Sequence, residues 1–387
     1  MTAMDTLDAR SRNRALSAVI GTAFGVGVSV GAVVPLLSLN LEQRGFDAAW
    51  IGINAAMFPL GAVGFSILVP RIVARLGLFK AIVASVTLTA ALMLLFPAID
   101  DYFAWCAIRL VIGCIGVVHW IASETWINLL ARDESRSRVM AVYATVMAGG
   151  FVCGPLMLSL TGIEGWIPFL AVAAASLCAL VPVLLIRAPA PALDEKMDGN
   201  LFGIMRAVPL VMAAALVAGF VDASLFALIP VHQVRAGHAE QLAVLSLSVF
   251  MAGNLALQYP LGWIADHTSR RRAAIATSAV IVAGAIAYPL LLPAMGPPFW
   301  LMMFVWGGVS WGMYTLGLAL LGERFQPAQL AAANAAFVMM YEAGSITGPV
   351  ISGAALDHWP RLGLPVSVGV VAALFIVIAA VKRPISR

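Results

Sequence analysis

Residues Gly262–Arg272, GWIADHTSRRR, separate two long apolar runs and join one acid to three consecutive arginines, Arg270, Arg271 and Arg272. A short charged segment between apolar runs is typical of a tight cytoplasmic turn between two membrane helices. A fainter copy, PRIVARLGLFK, lies 192 positions earlier at Pro70–Lys80, again between apolar runs. A turn repeated at half the chain length predicts two similar halves.

A second pattern repeats with nearly the same period. The motif GxxxGP occurs twice, 194 positions apart, at Gly150, Gly154 and Pro155 and again at Gly344, Gly348 and Pro349. Glycines four residues apart lie on one helix face and let a neighbouring backbone approach, while the proline removes a backbone donor and bends the helix. We expect a paired gating element, with ordinary helix packing in lipid as the alternative.

The composition excludes a soluble globular protein. The 387 residues are 62% hydrophobic and only 11% charged, with a mean hydropathy of +0.97, whereas soluble domains are about 25% charged. The net charge of +4 comes from basic residues in short clusters between apolar runs. Such clusters orient a chain in the bilayer, so the expected partner is lipid and not nucleic acid.

Apolar runs long enough to cross a bilayer occur throughout the chain, since about 20 residues are needed for each span. We predict twelve spans, at 16–38, 49–70, 80–98, 102–130, 138–160, 166–187, 207–231, 241–264, 273–293, 299–322, 331–355 and 362–381. The predicted domains are six-helix bundles at 1–190 and 207–387, joined by a cytoplasmic linker at 191–206.

The arginines and lysines predict the orientation. Both termini and the alternate loops together hold 19 of the 23, while the opposite loops hold only Arg44, Arg235 and Arg361. Basic residues accumulate on the cytoplasmic side of membrane proteins. We therefore expect a multi-pass protein of the bacterial inner membrane, with both termini in the cytoplasm.

Polar residues inside the spans are candidates for function, because one charge at membrane depth costs at least about 2.5–3.5 kcal/mol. The candidates for a substrate or proton pathway are Arg109, Glu124, Asp222, Glu342, Trp120 and Tyr341. Arg109, Trp120 and Glu124 share one helical face. Fifteen residues separate Arg109 from Glu124, about 22 Å along a helix, so these two cannot pair. Structural roles remain alternatives: Arg109 bound to neighbouring carbonyls, or Glu124 paired with Arg132 or Arg136.

Asp222 is the acid we expect to couple transport to protons. It lies near the middle of the seventh span with no basic neighbour in that span. Only its neutral form can be enclosed at low cost, which would link protonation to conformation. The alternative is a structural aspartate, satisfied by serine or backbone donors or paired with Arg109.

Several of these motifs resemble those of the major facilitator superfamily. The turn at Gly262–Arg272 resembles its loop signature, glycine followed four positions on by an acid and then by a basic cluster. GxxxGP resembles part of its fifth-helix motif, and Arg109–Gly116, RLVIGCIG, resembles the fourth-helix motif associated with proton coupling. The chain looks most like the small bacterial YcaD-like branch. The resemblance implies an all-α integral membrane protein with the major facilitator fold, twelve transmembrane helices in two six-helix halves.

The first-half turn departs from that pattern. It has Pro70 and Ala74 where glycine and aspartate are expected, whereas the second half keeps Gly262 and Asp266. The locking role that the family associates with the first-half turn is therefore assigned to the second-half turn, to Asp266, Arg270, Arg271 and Arg272. We expect the Asp266 carboxylate to lie at the positive start of the fifth predicted span, around 136–138, when the cytoplasmic side is shut.

The predicted function is secondary active transport of a small organic or amphipathic solute by alternating access, coupled to protons. An uncoupled facilitator and a non-transporting membrane sensor or scaffold are the alternatives. The sequence contains no P-loop, no HExxH and no GxSxG, so no enzyme activity, metal or cofactor is expected. The protein is expected to act as a monomer.

Overall fold

The computed structural model describes residues 9–131, 135–185, 201–322 and 327–381. At some of these positions, including Arg136 and Asp266, only the backbone is described. Residues 191–200 of the predicted linker and Arg132 lie outside the described residues.

Fourteen helices make up the described part of the chain. They are α1 (Ala9–Gln43), α2 (Ala48–Ser66), α3 (Val69–Leu76), α4 (Leu78–Met93), α5 (Tyr102–Leu130), α6 (Arg136–Thr161), α7 (Ile167–Leu185), α8 (Leu201–Ala207), α9 (Pro209–Arg235), α10 (Glu240–His267), α11 (Arg270–Leu291), α12 (Pro297–Gly322), α13 (Pro327–His358) and α14 (Gly363–Val381). Each predicted span coincides with one of the longer helices, so the all-helical membrane architecture is confirmed.

Ten of the described helices are individually long and apolar enough to cross a membrane, and α3 with α4 makes up to eleven. The eleventh predicted span, 331–355, lies in α13, which does not meet this criterion over its described residues. Glu342, Pro349 and several small polar residues lower the hydropathy of α13.

The two halves differ at the charged turn. PRIVARLGLFK is not the tight turn expected from the sequence, because most of it forms α3, an amphipathic helix that buries Val69 and Val73. The helix ends at Gly77, whose φ of 78° lies in the left-handed region that glycine adopts without steric cost. The chain then bends by 113° into α4. In the second half only Thr268 and Ser269 separate α10 from α11, as predicted, and the Ser269 hydroxyl accepts from the Arg272 amide.

The described residues group into two compact units. One comprises those of Met1–Leu36 and Met57–Glu195, and the other comprises those of Leu37–Ala56 and Lys196–Arg387. The tip of the α1–α2 hairpin therefore belongs with the second unit, a grouping that no feature of the sequence indicated.

Close helix crossings at glycines occur at corresponding positions within each of the two units. In the first unit, a Cβ at Gly61 would collide with the Leu110 carbonyl, and one at Gly113 with the Phe58 carbonyl. In the second unit, the same collisions occur between Gly253 and Phe304 and between Gly307 and Phe250. Corresponding residues are 192 or 194 positions apart, the periods found in the motifs. The α2–α5 crossing is thus repeated as the α10–α12 crossing.

Candidate functional site

Both GxxxGP motifs lie at close helix crossings within their own units. Gly150 and Gly154 of α6 face the backbone of α1, where a Cβ at Gly154 would lie 2.5 Å from the Ala32 amide nitrogen. Gly344 and Gly348 of α13 face α9 in the same way, against the backbones of Leu216 and Phe220. The close approach expected of these glycines is present, and Pro155 and Pro349 lie inside their helices. A gating role for them remains a prediction.

The α9–α13 crossing brings two predicted residues together. The Tyr341 hydroxyl donates to Oδ2 of Asp222 at 3.4 Å, although the residues are 119 positions apart in sequence. Asp222 is only 2% exposed, and its Oδ1 has no hydrogen-bond partner among the described residues. An unpaired polar atom buried in this way is costly, so a proton or a transient partner at Oδ1 would relieve the cost.

The Tyr341 ring also belongs to a group of packed aromatic side chains. The Tyr341 ring packs edge-on against Tyr314 with centroids 5.0 Å apart, and Tyr314 packs similarly against Phe337 at 5.3 Å. Glu342 is the next residue of α13 and is half-buried. Asp222, Tyr341 and Glu342 therefore all belong to the second unit, whereas Arg109 belongs to the first.

In the first unit, α5 joins two other predicted residues. The Trp120 indole nitrogen donates to Oε1 of Glu124 at 2.8 Å, one turn along their shared face. Whether Glu124 also meets Arg132 or Arg136 falls outside the described side chains. Arg109 is almost fully buried on the same helix, at 3% exposure. His119 is buried too and hydrogen bonds to Ser123 at 3.3 Å, in keeping with a packing role.

Two arginines of the second-half turn bind the carboxyl ends of neighbouring helices. Arg270 donates to the Ala319 carbonyl near the end of α12 at 2.7 Å. Arg271 donates to the carbonyls of Ala379 and Ala380 at the end of α14, from Nε to Ala379 at 2.9 Å. The last carbonyls of a helix lack intrahelical donors, so arginines there satisfy them and complement the helix dipole.

A cluster that the sequence analysis missed lies at the other end of the second unit. Arg235, the last residue of α9, binds Glu42 through Nε and Nη2 at 2.8 and 2.9 Å and Asp357 through Nη1 at 2.8 Å. Asp357 also accepts from the amides of Ala48 and Ala49 at 2.8 and 2.9 Å, and so caps the start of α2. One signal for this cluster was available in the sequence: the loops predicted on this side of the membrane contain only three basic residues, and Arg235 is one of them.

The charges of this cluster support one another. Asp357 lies beyond the predicted eleventh span. Burial by itself raises the pKa of its carboxyl, but hydrogen bonds from Arg235 and from the amides of Ala49 and Ala48 outweigh burial and hold that pKa below its usual range. The ionised carboxylate is thus the form that the cluster stabilises.

Comparisons with known proteins agree with this architecture. The chain is 24% identical over 335 residues to the uncharacterized MFS-type transporter YfkF of Bacillus subtilis (strain 168), covering 84% of this chain and 85% of that one. It is 22% identical over 334 residues to the uncharacterized MFS-type transporter YcaD of Escherichia fergusonii, covering 86% of each.

Solved structures show the same fold at low identity. A crystal structure of a variant of the nucleoside transporter NupG matches with a TM-score of 0.79 and 16% identity, covering 95% of this chain and 98% of that one. A D-xylose–proton symporter matches with a TM-score of 0.71 and 15% identity, covering 97% and 98%. The family model described as Major Facilitator Superfamily matches residues 19–349. The chain therefore belongs to the major facilitator superfamily, a family of membrane transporters and not of enzymes.

Proposed function

We propose that the protein is a secondary active transporter that moves a small organic or amphipathic solute by alternating access, with Asp222 as its proton-coupling group. The observation that carries the proposal is the buried Asp222 carboxyl, which receives one hydrogen bond from Tyr341 while Oδ1 has no partner among the described residues. A carboxyl group that is enclosed in this way is stabilised when it takes up a proton.

The internal repeat supports a specialised role for this pair. Gly219 meets the Tyr341 carbonyl, as Gly27 meets the Met147 carbonyl in the first unit. Shifting Asp222 and Tyr341 back by the same 192 and 194 positions leads to Val30 and Met147, which are both apolar. The second unit therefore adds an acid and a hydroxyl to a crossing that the first unit packs without them. Packing alone does not require this addition.

Solute-dependent proton movement in proteoliposomes tests the proposal. Purified protein is reconstituted with an internal pH dye and exposed to a panel of nucleosides, pentoses and amphipathic drugs, the first two suggested by the transporters of similar fold. We expect at least one solute to drive proton movement in the wild type. Flux without proton movement would identify an uncoupled facilitator, and absence of any flux would favour a sensor or scaffold.

Asp222→Asn, which mimics the protonated acid, assigns the coupling group. We expect it to abolish accumulation driven by a pH gradient while solute exchange persists, because the neutral side chain still permits the conformational change. Glu342→Gln is the matched control and should retain coupling. Wild-type accumulation in Asp222→Asn would make this residue structural and move the search to Glu124 and Glu342.

A further inference from the structure

A wedge-shaped recess separates the first turns of α1 from the last turns of α7, both in the first unit. Farther along α1 the two helices touch, because a Cβ at Gly25 would collide with the Ala179 side chain. One turn nearer the start of α1, a Cβ at Gly21 would meet only Pro182, at 3.9 Å. Pro182 lies inside α7, where it removes a backbone donor and favours a bend. The helices therefore diverge from Gly25 toward the start of α1.

The recess is long and narrow, and its two parts share Pro182. The wider part, about 450 Å³, lies at the start of α1, and the narrower part, about 340 Å³, continues along α1 as far as Val28 between small or apolar residues. Ser17 of the wider part lies eleven positions before Val28, which is about 16 Å along a helix. One leaflet supplies half of a hydrocarbon core of about 30 Å. The recess therefore has the depth of a single leaflet.

Polar side chains are confined to the wider end of the recess. Asn13, Arg14 and Ser17 line this end and are exposed, and Ser17 is the helical neighbour of both others at three and four positions. Arg14 forms no ion pair or hydrogen bond with the described residues. A guanidinium beside an amide and a hydroxyl is a set of donors that suits phosphate oxygens. These residues flank the start of the first predicted span, so they lie at headgroup depth on the side expected to be cytoplasmic.

We propose that this recess binds one anionic phospholipid of the cytoplasmic leaflet, with its phosphate at Arg14 and one acyl chain along α1 toward Val28. Charge favours a lipid over a second copy of the chain. A two-fold symmetric dimer about the membrane normal would bring the Arg14 side chains of both copies to the same depth at one interface, where like charges repel. The cytoplasmic leaflet, by contrast, supplies anionic headgroups. This proposal goes beyond the proposed function, since it depends neither on the solute nor on proton coupling.

Photolabelling with defined lipids tests this inference. The purified full-length protein in detergent micelles is mixed with phosphatidylglycerol, which is anionic, or with phosphatidylcholine, which is zwitterionic. Each lipid carries a diazirine at the end of one acyl chain, and cross-linked peptides are quantified by mass spectrometry after irradiation. We expect phosphatidylglycerol to label α1 and α7 about fivefold more than phosphatidylcholine, the factor expected for one basic residue at an anionic surface. The α11 peptide around Leu290, which is exposed, is the internal control and should be labelled equally by both lipids.

Two pairs of variants separate the headgroup from the acyl chain. Arg14→Gln should remove the excess labelling by phosphatidylglycerol, whereas Arg75→Gln, at an exposed arginine of α3 on the same predicted side, should keep it. Gly21→Leu should remove it by filling the wedge, whereas Gly64→Leu makes the same substitution in α2 where a Cβ meets no atom within 4 Å.

Three results would overturn the proposal. The first is equal labelling of α1 and α7 by the two lipids in the wild type. The second is an excess that survives in Arg14→Gln or, if that variant does not fold, in Gly21→Leu. The third is a dimer, seen by light scattering, that Gly21→Leu dissociates, because a second copy of the chain would then occupy the recess. No solute is present in these measurements, so they are independent of the role of Asp222.

Discussion

Individual arginines have different partners in this protein, and those partners indicate their roles. Arg270 and Arg271 come from the motif that we associate with locking the transport cycle, yet both bind carbonyls at helix ends in their own unit. Their described contacts therefore give two of the three arginines of the turn a role in helix stability. The side chain of Asp266, the acidic member of that predicted lock, lies outside the described side chains.

Arg271→Gln tests this structural role. We expect a loss of about 0.3–1 kcal/mol, the value of a cation at a helix carboxyl end, seen as a small fall in the melting temperature of the detergent-solubilised protein. Arg272→Gln is the control, because the backbone amide of Arg272 and not its side chain bonds to Ser269. If Arg271→Gln instead left stability unchanged and altered cysteine accessibility of the cytoplasmic vestibule, the locking role would be the better explanation.

At the scale of the helices, the internal repeat is visible as matching pairs of crossing helices in the two units. The crossings of α1 with α6 and of α9 with α13 both depend on the glycines of GxxxGP, which let backbones touch. Dispersion contacts between closely packed backbones are a main source of helix association in lipid, where there is no hydrophobic effect between helices. These crossings therefore hold each unit together.

Leucine substitutions at Gly154 and Gly348 test the crossings. Overpacking of this kind costs about 1–3 kcal/mol, and we expect transport to fall more than expression because the helices can separate without unfolding. Gly64→Leu in α2 is the control, since a Cβ there meets no atom within 4 Å. Expression is followed by membrane content, and transport by the solute found in the proteoliposome screen. Normal transport in both leucine variants would contradict a role for close packing.

At the scale of the whole molecule, the distribution of basic residues predicts the orientation in the membrane. The two termini and the alternate loops contain 19 of the 23 arginines and lysines, so we expect both termini in the cytoplasm. A fluorescent protein fused after Arg387 should fluoresce, whereas alkaline phosphatase inserted after Gly237 should be active. Active phosphatase fused after Arg387 would reverse the assignment.

The amino-acid sequence by itself determines the membrane class, the position of the long helices and the internal repeat. Each of these depends on local hydropathy or on spacing along the chain, which are readable without a partner. The periods of 192 and 194 even mark the corresponding glycine crossings of the two units. The same local signals identified Asp222 and Tyr341 as polar residues within apolar spans.

Only the tertiary structure decided which of these residues meet. Tyr341 donates to Asp222 across 119 positions, and Arg235 binds Glu42 and Asp357 across 193 and 122. Such pairs leave no local pattern, because a helix fixes the direction of a side chain but not the neighbouring helix that packs against it. For the same reason, Arg235 appeared in the sequence only as one of three bases in the sparsely charged loops, while the fold makes it the shared partner of Glu42 and Asp357 within the second unit.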